Sequence, residues 1–90
     1  MSSFFDRYPN GVGRIPNWSI KAWRSPANFH WLVQVEHAIP ERGGWIRGWL
    51  VDASGHLQRY PTLQAAAQAM TAFLDHPDWS GCREFPGGVL

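Results

Sequence analysis

Ninety residues allow one small domain, and an apolar share of 44% with 17% charged residues describes a folded chain, not a disordered one. A net charge of +1 lacks the global basic signature of a nucleic-acid binder, and a single cysteine, Cys82, excludes an internal disulfide framework. No apolar stretch approaches the ~20 residues of a membrane span, and Met1-Ser2-Ser3-Phe4-Phe5-Asp6-Arg7 has no basic start followed by an apolar run, so the expected location is a reducing cytoplasm.

Residues 1–28 read as an irregular basic segment packing on the domain, with Arg7, Arg14, Lys21 and Arg24 against Asp6 alone. Pro9-Asn10-Gly11, Gly13, Pro16 and Pro26 punctuate it. Within it, Trp18 to Trp23 fits either an edge strand with Trp18, Ile20 and Ala22 inward or a short helix started by Asn17. Residues 29–37 predict a first strand, with Phe29, Trp31, Val33 and Val35 on one face. Ile39 to Gly44 is a connection, because Pro40 cannot donate a ladder bond and two glycines follow. Residues 45–52 predict a second strand, with Trp45, Arg47, Trp49 and Val51 on one face and Ile46 and Leu50 on the other. Gly48 in its middle leaves room for a neighbouring indole. Asp52-Ala53-Ser54-Gly55 is a tight turn, and residues 56–60 predict a short third strand.

The clearest element is a helix after Pro61. Thr62 supplies the N-cap, and Leu63, Ala66, Ala67, Met70, Phe73 and Leu74 make one apolar stripe that Pro77 ends. Ala65, Ala66, Ala67 and Ala69 favour helix and permit close approach to a sheet. Residues 77–90 read as a loop with a brief extended piece at 82–85. The expected fold is therefore α+β: a three-stranded antiparallel meander with one C-terminal helix on one face, a β-β-β-α core over residues 29–76, with the N-terminal segment adding at most a short strand or helix. Both faces of the second strand are partly apolar, so something should cover the second face: residues 18–23, the tail with Trp79 and Phe85, or another molecule.

Catalytic signals are absent. His30, His37, His56 and His76 have no ligand spacing with one another or with Cys82, so no metal or other cofactor is expected. Cys82 with His76 and Ser54 with His56 sit in no nucleophile signature, and Gly11-Val12-Gly13 and Gly43-Gly44 are not phosphate loops. Asp75, His76 and Asp78 read as a helix end running into a turn.

What remains is six tryptophans and seven arginines. Arg47 between Trp45 and Trp49 fits a core, a protein hot spot or a base-stacking surface. The expected function is a non-catalytic protein-binding module acting by surface occlusion, of the kind that phage- and mobile-element-borne inhibitors of host machinery use, with a larger protein or a second copy as partner. The candidate contact residues are Trp45, Arg47, Trp49 and Arg59, then Trp23 and Arg24. The alternative is a nucleic-acid-binding module using the three-stranded sheet and the basic N-terminal segment, an arrangement that some small DNA-binding domains lay in the major groove; the low net charge weighs against it.

Overall fold

A four-residue helix, α1 (Phe4–Arg7), opens the computed structural model, which describes residues 3–86. One turn of helix is too short to stand alone. It forms because Ser3 and Asp6 cap each other: the Asp6 N–H donates to Ser3 Oγ at 3.2 Å and the Ser3 N–H to Asp6 Oδ2 at 3.0 Å. Phe4 then anchors it in the core.

The chain next forms β1 (Val12–Ile15) and β2 (Trp18–Arg24), joined by Pro16-Asn17. Proline presets the first turn position and Asn17 takes the left-handed conformation, φ 70°, that the second requires. The antiparallel order continues through β3 (Trp31–Ile39) and β4 (Gly44–Leu50) to a two-residue β5 (Cys82–Arg83), so the sheet runs β1-β2-β3-β4-β5. The N-terminal segment thus adds two strands and a helix to the expected meander, where one short element at most was predicted. The first predicted strand also starts later than expected. Phe29 is in the β2–β3 loop at φ 60°, 65% exposed, and shares no strand face with Trp31.

The predicted third strand at 56–60 does not form. Asp52 Oδ1 accepts from the N–H groups of Ser54 and His56 at 2.9 and 3.0 Å, which curls the chain back on itself. Past the Gln34–Trp49 pair, β3 and β4 splay, and residues 57–60 enter the fork. There Leu57 bridges Val51 and Tyr60 bridges Trp31, each as a single pair. The edge of β4 is taken by β5 instead.

Helix α2 (Leu63–Asp75) follows the prediction closely, with Thr62 Oγ1 accepting from the Ala65 N–H at 3.1 Å. Its stripe buries Ala66, Ala67 and Met70 against Ile20, Val33, Val35, Leu50 and Phe4. Directly paired residues of antiparallel strands share a face. The helix side therefore carries Gly13, Trp18, Ile20, Ala22, Val33, Val35, His37, Ile46, Gly48, Leu50 and Cys82. Trp79, in a 3-10 turn (Trp79–Gly81), completes the cover: a Cβ placed on Gly48 would lie 2.7 Å from the Trp79 ring. His37 stacks on Trp18 at 3.9 Å between ring centroids, and Trp18 meets Phe73 of α2 edge-on at 5.3 Å. No helix among the described residues is long and apolar enough to cross a membrane.

Candidate functional site: the open face of the sheet

The opposite face has no helix over it. The strand registers place two rows across it: Val12, Lys21, Gln34, Trp49 and Arg83, then Arg14, Ser19, Glu36 and Arg47. Trp23 with Leu32 lies beyond the first row, and Trp45 with Ala38 beyond the second. The strands thus carry Arg14, Lys21, Arg47 and Arg83 on this face, against Glu36 as the one acid. Only two of those five charged residues lie in the second predicted strand or its neighbour as the sequence reading paired them; the others arrive because β1, β2 and β5 join the sheet.

Three tryptophans occupy the face in three different states. Trp49 is packed, 9% exposed, beside the fully buried Leu32 and the buried Gln34 amide. Trp23 is 38% exposed; its Nε1–H donates to Gln34 Oε1 at 3.0 Å, and the Lys21 ammonium sits 4.5 Å from its ring centroid. Trp45 is 60% exposed, a solvated indole at the end of the face. A depression of about 110 Å³ beside it is lined by Arg14, Ser19, Glu36 and Trp45.

Among the described residues the ion pairing is sparse. Arg47 Nη2 lies 3.6 Å from Glu36 Oε2, an exposed cross-strand pair of small energetic weight. Arg14 and Lys21 have no carboxylate within ion-pair distance, and Arg83 is held by donating to the Gly55 carbonyl at 3.2 Å. The field of the face is therefore positive although the chain is almost neutral.

The predicted contact residues separate accordingly. Trp45, Arg47, Trp49 and Trp23 share the open face. Arg59 does not lie across from them: it is exposed in the fork segment, and β4 is flanked by β3 and β5. Arg24 is on the helix side, with its guanidinium 5.2 Å from the Phe29 ring. Sequence reasoning missed Arg14, Lys21 and Arg83. The alternation that turned Trp18, Ile20 and Ala22 inward also turned Ser19, Lys21 and Trp23 outward, so Lys21 could have been found from β2 alone.

Nucleophilic chemistry has little to work with elsewhere. Burial, reinforced by the Asp78 carboxylate, pushes the Cys82 thiol up to about 12 from 9.0. It stays protonated at neutral pH and is a packing residue. Iodoacetamide at pH 8 is expected to label Cys82 slowly in the folded protein and quickly in urea; equal rates would contradict its burial. A raised folded-state value means the folded protein holds the proton more tightly, so stability should fall as pH rises from 9.0 toward about 12. Among the described residues no three His, Cys, Asp or Glu side chains cluster as metal ligands. A groove of about 420 Å³ between α1 and α2, lined by Phe4, Ala67, Thr71 and Asp75 among others, has one titratable group and no base beside it. No protein-family model, curated protein or solved structure matches the chain.

Proposed function

We propose that this protein is a non-catalytic binding module that works by laying its open sheet face over an acidic surface of a larger partner. One observation carries the reading. Trp45 and Arg47, 60% and 64% exposed, stand together on the helix-free face, whose strands hold four cations and one acid. A solvated indole beside an arginine is the composition of a binding hot spot. Occlusion needs no catalytic group, which suits an inhibitor of larger machinery.

A second copy is a poor occupant. A two-fold dimer through this face would set the same positive field against itself. The partner is therefore a different molecule, and acidic. A larger protein with an acidic patch has that character, and so does a nucleic-acid strand.

A photo-crosslinking residue placed at position 45, compared with one at the exposed helix position 68, tests the face directly. Expression in the source cell should give a discrete adduct from position 45 and none from position 68. Equal adducts from both, or a self-adduct as the sole product, would remove the open face as the contact surface.

A further inference from the structure

Resting on that reading, we infer that the acidic partner is single-stranded nucleic acid, with bases stacking on Trp45 and Trp23 and phosphates meeting Arg14, Lys21 and Arg47. The argument begins with shape. At the row Val12, Lys21, Gln34, Trp49 and Arg83, five strands at about 4.8 Å spacing make the sheet about 19 Å wide, beyond the ~12 Å major groove, and it narrows to the β3–β4 pair at Trp45. The whole face, from Trp23 to Trp45, therefore does not fit into a duplex groove. Leu32, Gln34 and Trp49 are packed on this face, but its other end, with Arg14, Arg47 and Trp45 exposed, is a surface on which unstacked bases can lie.

The chemistry on the platform matches a strand's alternation of ring and charge. Trp23 pairs with Leu32 and Trp45 with Ala38, so the two exposed indoles stand about 20 Å apart along the strands, by ~3.3 Å per residue. Lys21, Arg14 and Arg47 lie between them. That span accommodates several nucleotides. The Trp23 ring is already fixed by Gln34 at its edge, so little ring freedom is lost on stacking, and the Lys21 ammonium, 4.5 Å from the ring centroid, swings off that face to meet a phosphate. Arg14 and Lys21 have no carboxylate to surrender when a phosphate arrives, and Arg47 gives up one exposed, weak pair. The near-neutral total charge is no obstacle, because the local surplus faces the ligand while most of the acids, Asp6, Glu41, Asp52, Asp75 and Asp78 among them, lie outside the strands.

The test uses the full chain with fluorescein-labelled dT20 and rU20, a 20-base-pair duplex, and poly-L-glutamate, followed by anisotropy and tryptophan quenching. The expected result is binding of a single strand with a log–log salt slope of about −2 to −3, as three or four contacted phosphates require. The duplex should bind more weakly. Trp45→Ala should weaken binding about tenfold or more, and Arg14→Gln should weaken it and flatten the slope, while Gln68→Ala on α2 leaves it unchanged. Circular dichroism confirms that each variant is folded. No binding of dT20 or rU20 at low salt, or binding indifferent to Trp45→Ala, overturns the inference. Trp45-dependent binding of poly-L-glutamate without either oligonucleotide overturns it too and leaves the face itself as a contact surface for acidic protein. Indifference of every ligand to position 45 counts against both.

Discussion

Trp49→Ala should cost about 3–5 kcal/mol of stability, whereas Trp45→Ala, four residues earlier on the same face, should cost less than about 0.5 kcal/mol. The two indoles share a strand and a face but not an environment. Trp49 is 9% exposed and sits opposite Gln34 and Arg83 in the middle of the sheet. Its removal leaves a hole beside Leu32 and Gln34 that neighbouring strands cannot close. Trp45 is 60% exposed, with water already over most of it. At roughly 4–8 °C per kcal/mol for a domain of this size, thermal melting separates them plainly, since the Trp49 variant should melt at least about 12 °C lower. A normal melt for Trp49→Ala would return that residue to the exposed contact set and undo its assignment as a packed member of the open face.

Gly48→Val is the second large effect. Any Cβ at this position meets Cη2 of Trp79 at 2.7 Å and the Arg83 carbonyl oxygen at 3.0 Å. The ring could swing away, but the Arg83 contact is backbone, so β5 must move as well. Overpacking of this kind costs about 1–3 kcal/mol. Valine is a good strand former, which would favour the change were the site open. The diagnostic consequence is local. Undocking β5 should uncover Cys82, which lies in that strand and pairs with Leu50 of β4, so alkylation should accelerate more than the loss of global stability explains. An unchanged melt with Cys82 still protected would show that the indole and β5 do not clamp Gly48.

Much of this arrangement was written locally. The α2 stripe, its Thr62 cap, the Asp52–Gly55 turn and the space over Gly48 follow from side-chain chemistry within a few residues, and each is where the sequence places it. The β4 alternation likewise put Trp45, Arg47 and Trp49 on one face. The failures were non-local. β1 is four residues with a glycine inside, and β5 is two residues, so neither carries a period of its own. They exist because β2 and β4 have edges to be paired. The fork that displaced the predicted third strand depends on where β3 and β4 part, which no short window of sequence encodes. The site suffered in the same way. Arg14 and Arg83 joined it only through strands that pattern alone did not reveal, while Arg24 and Arg59 looked equivalent to them in composition and were left outside.

Toward its Trp45 end, the two sides of the sheet divide the labour of this chain between them. In β4, positions 48, 49 and 50 are buried and hold the domain together while 45 and 47 are free of that duty. Recognition can therefore drift without threatening foldability: a combinatorial library varied at positions 14, 19, 21, 45 and 47 should yield mostly well-folded members. The protein is in that sense a ready scaffold, whose specificity can be rewritten on alternate residues while its architecture is inherited intact.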